Sequence, residues 1–255
     1  MKINLSSTVT PGSRVELIED ATWRLSIPPG VAGKYQLAQL DDYKNLPRKK
    51  FYWQPPLSFN LSARVSDGNV LGTWGFGFWN DPFSLTLGLQ GSNRRLPALP
   101  NTAWFFYASP PNYLALSSSN PGSGMLAASF SSSKLPSCMF LLAGVLAPCM
   151  FWKPTAQIQR RIARLWIKDA GCAISTDGTA WHNYEIRLFP DQVLFFLDDQ
   201  LVFETGNVPN GQLGCVIWID NQYASLTPVG TLKFGTLLAQ DESWLEIKNP
   251  GITWL

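Results

Sequence analysis

The feature of this chain that most limits its fold is the recurrence of short, β-prone runs from one end to the other. They span 15–19, 22–27, 35–40, 57–66, 73–79, 85–90, 103–109 and 125–130, then 173–176, 183–189, 193–197, 201–204, 213–220, 231–238 and 244–248. Turn-forming clusters separate them, among them Pro28-Pro29-Gly30, Asp67-Gly68-Asn69, Asn120-Pro121-Gly122 and Pro209-Asn210-Gly211. Many short strands punctuated in this way fit a two-layer sandwich or a barrel and little else. The clearest hairpin lies at 185–202. Tyr184, Ile186 and Leu188 share one face and Glu185 and Arg187 the other, with turns at Pro190-Asp191 and at Asp198-Asp199-Gln200.

One stretch breaks the pattern. A Ser/Gly-rich segment (117–133) leads into a strongly apolar one (139–152), too short and too proline-broken to span a bilayer. The spacing of Ile158, Ile162, Leu165 and Trp166 then predicts an amphipathic helix over 154–169, with Arg160, Arg164 and Lys168 along another side. An insertion at about 134–169 is expected, either packed on the sandwich with its arginines in water or acting as a lid. A peripheral membrane contact through 139–168 is the sharper form of the second reading.

Composition narrows function mainly by exclusion. A chain of 255 residues buries a sizeable core without disulfides, so one domain over 1–255 is expected. The net charge of +2 and the lack of any nucleic-acid motif argue against a nucleic-acid partner. The N-terminus lacks the apolar stretch of a signal peptide, which predicts a cytoplasmic protein with Cys138, Cys149, Cys172 and Cys215 reduced and buried. The lone histidine, His182, rules out a multi-histidine metal site, and no phosphate loop or dinucleotide fingerprint is present. No metal and no cofactor is expected. The 11 Trp and 15 Phe exceed what a core needs, so some are expected to line a cleft.

The run from Trp181-His182-Asn183-Tyr184-Glu185-Ile186-Arg187-Leu188 through Val193-Leu194-Phe195-Phe196-Leu197-Asp198-Asp199-Gln200-Leu201-Val202 resembles a hairpin signature of the concanavalin A-like lectin/glucanase superfamily. It is most similar to glycoside hydrolase family 16 and its laminin-G-like relatives, with Asp199 where those carry glycine. The resemblance implies an all-β, two-sheet jelly-roll sandwich, and it implies that His182 and Asp198 have structural roles. It does not carry over the activity. The Glu-x-Asp-x-x-Glu that supplies nucleophile and acid in those hydrolases occurs nowhere in this chain. The strand 73–79 is followed instead by the aromatic, acid-free run 103–113.

The candidate site is therefore aromatic and nearly uncharged. Either Trp104 and Phe106 or Phe105 and Tyr107 face the cleft, because alternate residues point to opposite sides of a strand. Trp218, Asp220, Asn221, Gln222 and Tyr223 form a polar end to an apolar strand. Asp220 there is either a general acid or base of raised pKa or an Asx turn. Trp79, Asn80 and Asp81 offer a second position at the cleft rim or a plain turn. Arg94 and Arg95 form a loop pair read as solvated. Three functions follow. The first is a cofactor-independent cyclase or isomerase for a lipophilic or aromatic small molecule, with Asp220 and Asp81 as proton-transfer groups. The second is a carbohydrate-binding, lectin-like protein. The third is a partner-binding protein with a buried aromatic patch, and a divergent glycoside hydrolase with a rearranged acid pair is the least favoured alternative.

Overall fold

A computed structural model describes residues 3–19, 21–82, 95, 97–117, 120–133, 153–229 and 231–255. Among them, two seven-stranded antiparallel sheets pack face to face, with one two-stranded hairpin beside them. The first sheet runs β1 (Ser6–Val9), β4 (Leu37–Asp41), β13 (Gly214–Asp220), β6 (Thr73–Trp79), β7 (Thr102–Ala108), β8 (Gly124–Ser132) and β9 (Ile167–Ala173). The second runs β12 (Gln200–Thr205), β11 (Val193–Leu197), β10 (His182–Leu188), β5 (Leu57–Val65), β16 (Ser243–Trp254), β3 (Thr22–Ile27) and β2 (Arg14–Glu19). β14 (Gln222–Leu226) and β15 (Leu232–Thr236) form the small hairpin, and α1 spans Lys153–Trp166.

Alternation builds the core. Leu57, Phe59, Leu61, Ala63 and Val65 of β5 meet Trp74, Phe76 and Phe78 of β6 and Ala103 and Phe105 of β7 in one continuous buried cluster. Tyr184, Ile186 and Leu188 enter the same cluster. Glu185 and Arg187 pair with each other on the opposite face, as the two-residue period requires. On that face Glu246 is clamped between Arg24 and Arg64 at 2.5 and 2.7 Å. The two guanidinium groups lie over the ring of Trp244 at 5.0 and 5.6 Å. The β11–β12 turn has Asp198 and Asp199 at φ of 48° and 63°, the left-handed pair that a two-residue hairpin needs. His182 is held by Asp198 through Nδ1 (2.6 Å) and by Thr176 through Nε2 (3.0 Å), so it braces the turn.

Several expectations need correction. The helix stops at Trp166 rather than running to Asp169, and 167–173 pairs with β8 as an edge strand. Backbone pairing with β8 overrides the helical spacing of those side chains. β1 and β14 were not anticipated, and the polar trio after Trp218 is split, with β13 ending at Asp220 and β14 starting at Gln222. The helix is also turned the other way round. Arg160 is buried, donating to the Ala115 carbonyl at 2.8 Å, while Ile162, Leu165 and Trp166 face solvent, Leu165 with 79% of its surface exposed. Arg95 is buried rather than solvated, and Cys172 is only partly buried, unlike Cys215. The expected strand 85–90, Arg94, the apolar segment 139–152, Cys138 and Cys149 lie outside the described residues.

Candidate functional site

The outer face of the first sheet carries the rings that the core does not use. In β7, Ala103, Phe105 and Tyr107 point into the core, and Trp104, Phe106 and Ala108 point outward. This settles which aromatic pair faces the cleft. Trp218 projects outward from β13, where Cys215, Ile217 and Ile219 point inward. Between β13 and β7 runs β6, whose outward positions include two glycines. Gly75 pairs with Trp218 on one side and Phe106 on the other, and Gly77 pairs with Val216 and Trp104. A Cβ on Gly75 would lie 2.5 Å from the Phe105 carbonyl oxygen. Gly77 has φ of +150°, and a Cβ there would lie 2.4 Å from the Ala103 oxygen.

Over this bare strip the neighbouring rings come together. Trp104 and Trp218 have centroids 5.3 Å apart, and Trp79 and Trp218 lie 6.5 Å apart with planes within 6° of parallel. Trp104 packs on Phe106 at 5.4 Å. The result is a cavity of about 310 Å³ lined by these four rings with Leu37 and Leu114, and with a polar margin of Tyr35, Gln39, Thr73, Asn112, Asp220 and Gln222.

Asp220 is the acidic member of that lining and is 7% exposed. Its Oδ1 accepts from the Thr73 hydroxyl at 2.8 Å and from the Thr73 and Gln222 amides at 3.3 Å each, and its Oδ2 accepts from the Tyr35 hydroxyl at 3.2 Å. Burial pushes its pKa up to about 6, against the lowering effect of those donors, and no ion pair engages it among the described residues. Trp218 Nε1 donates to the Thr73 hydroxyl at 2.9 Å, and Trp79 Nε1 to the Tyr43 hydroxyl at 2.5 Å. The buried Nε1 of Trp104 has no hydrogen-bond partner. The cavity thus offers stacking rings and a carboxylate with three long bonds.

Of the residues expected from sequence, Trp79, Trp104, Phe106, Trp218, Asp220 and Gln222 meet in this cavity. Tyr107 lies on the core side, stacked on Trp74 at 5.9 Å. Asn80 ties the chain locally, donating to the Leu99 carbonyl and accepting from the Asn101 amide. Asn221 is fully buried, accepting from the Gln36 amide and donating to the Lys34 and Leu237 carbonyls. Tyr223 sits in β14 with its ring against Gly235. Asp81 binds Arg95 at 2.5 Å, and that guanidinium also donates to the Tyr43 and Leu46 carbonyls. Asp81 lies just past the Trp79 end of β6 and Asp220 pairs with the Thr73 end, a separation of roughly 20 Å at the usual strand rise. The two acids cannot serve one reacting bond. Gln39 and Thr73 were within reach of the two-residue period. Tyr35 opens the β-prone run 35–40 in step with Leu37 and Gln39, although β4 itself begins at Leu37, and Asn112 lies on a connection and carried no sequence signal.

Among the described residues no three His, Cys, Asp or Glu side chains converge as a metal would require. No known family profile matches the chain, and neither does any curated protein. Solved structures do. A glycoside hydrolase family 16 endo-glucanase from Bacteroides ovatus superposes with a TM-score of 0.51 at 8% identity, over 98% of this chain and 94% of that one. The fold is that of the concanavalin A-like lectins and glucanases. A legume lectin-like domain from Entamoeba histolytica gives 0.47 at 9% identity, over 99% and 90%. A sialidase gives 0.45 at 10% identity, with 98% of this chain matching only 17% of that protein. At these identities the relationship is distant.

Proposed function

We propose that this protein binds carbohydrate, without cleaving it, in the aromatic cavity on the outer face of its first sheet. The observation that carries the reading is the grouping of Trp79, Trp104 and Trp218 over the Gly75–Gly77 strip beside the buried carboxyl of Asp220. A sugar ring presents C–H faces that lie on indole and hydroxyl edges that need donors and acceptors. Asp220, Gln222, Gln39 and Thr73 supply those at the margin. The fold is also one used by a glucanase and a lectin-like domain.

Cleavage needs a second carboxyl within about 5–10 Å of the first, and the lining offers one acid. A cyclase or isomerase of lipophilic substrates, with Asp220 and Asp81 sharing the proton transfer, finds no support once Asp81 is spent on Arg95.

The test is a glycan array followed by calorimetry on the best binder. Saturable binding that falls about tenfold or more in Trp218→Ala, roughly 1.4 kcal/mol, is expected. An array without signal, or binding indifferent to both Trp218→Ala and Trp104→Ala, would overturn the proposal.

A further inference from the structure

A second cleft of about 400 Å³ opens at one end of the sandwich, where the two sheets part. Its walls are Tyr52, Trp53 and Trp254, with Asp42 among them and Lys44 at the side. Trp53 is buried, but Tyr52 and Trp254 each keep 55% of their surface exposed. The rings are not parallel. Trp53 meets Tyr52 at 6.4 Å and 64°, and Trp254 at 5.7 Å and 44°.

The Asp42 carboxylate is held at this wall by the indole N–H of Trp53 and, through Oδ1, by the Cys215 amide at 2.9 Å. No ion pair engages it among the described residues. Lys44 is directed elsewhere, its Nζ donating to the Ser7 carbonyl at 2.7 Å. Burial raises the pKa of Asp42 to about 6, and the neighbouring Asp41 adds to the rise against the lowering effect of the Trp53 and Cys215 donors. A partly buried carboxylate with no ion pair among the described residues, in one cleft with the half-exposed rings of Tyr52 and Trp254, is an arrangement that a cation would relieve twice over, through the carboxylate and through the ring quadrupoles.

We propose that this cleft binds a small organic cation of the methylated or alkyl ammonium class, with Asp42 as counter-ion and Tyr52, Trp53 and Trp254 as the surrounding rings. The site lies apart from the sugar-binding cavity and shares no residue with it.

Titration of the full chain with tetramethylammonium and with choline, at constant ionic strength, tests this by calorimetry and by the indole N–H signals in NMR. The uncharged carbon isostere of choline, 3,3-dimethylbutan-1-ol, serves as the comparison. Saturable binding of both ammonium ions is expected, with the alcohol at least tenfold weaker. Trp254→Ala, at an exposed position, and Asp42→Asn should each weaken binding about tenfold or more, and Trp218→Ala should leave it unchanged. Equal binding of the alcohol, absence of saturable ammonium binding, or binding that survives Trp254→Ala would each overturn the proposal. So would a neutral sugar that displaces the ammonium ion from this cleft.

Discussion

Asp220 is the residue on which the chemistry of the main cavity turns. Its pKa is raised to about 6 by burial, so the folded protein holds that proton more tightly than the unfolded chain does. The sign follows: this group's contribution to stability falls as pH rises from about 4 to about 6, then stays level. Asp220→Asn removes that loss. Its Oδ1 still accepts from Thr73 and Gln222, and its amide can donate to the Tyr35 oxygen. Urea unfolding at pH 4 and pH 7 should show the variant gaining on the wild type by up to about 3 kcal/mol across that interval. Binding should move the other way. Sugar hydroxyls donate best to the ionised carboxyl, so affinity should rise through about pH 6 in the wild type and stay flat in Asp220→Asn, as calorimetry at pH 5 and pH 7.5 would show. Residues of this kind were partly legible in sequence. A lone acid closing an apolar strand announces a cost that something must offset. Arg95 carried no such signal, because its burial depends on the Tyr43 and Leu46 carbonyls, which lie far away along the chain.

At the scale of elements, β6 decides the shape of the cavity and α1 departs furthest from its sequence pattern. Gly77→Ala should cost about 1–3 kcal/mol in chemical unfolding and should weaken glycan binding, because a Cβ would crowd the β7 backbone under Trp104. The strands were legible wherever one face meets the core. The alternation of Tyr184, Ile186 and Leu188 against Glu185 and Arg187 is fixed by burial on one side alone. The edge strands β1 and β9 were not legible, since most of what defines them is pairing to a neighbour. In α1 the spacing located the helix but not its orientation. The Ala115 carbonyl and the ring of Tyr113, 5.6 Å from the guanidinium, draw Arg160 inward and leave Ile162 and Leu165 outside.

For the molecule as a whole, the fold was readable from strand count and one hairpin, whereas a shared fold does not by itself carry an activity. Incubation with mixed-linkage and β-1,3-glucans should release no reducing sugar above a buffer control, even where those polymers bind. One acid among the lining residues cannot both protonate a leaving group and attack or activate water.

The same three strands, β13, β6 and β7, give one set of side chains to the interior and the alternate set to the cavity. Sliding β7 by a single residue against its neighbours would send Phe105 out and Trp104 in. The sugar recognition proposed for this cavity would thus be inseparable from correct strand alignment. A chain that condensed with the wrong pairing would be blind to sugar as well as poorly packed, so binding can serve as a readout of whether this sheet has assembled in its native order.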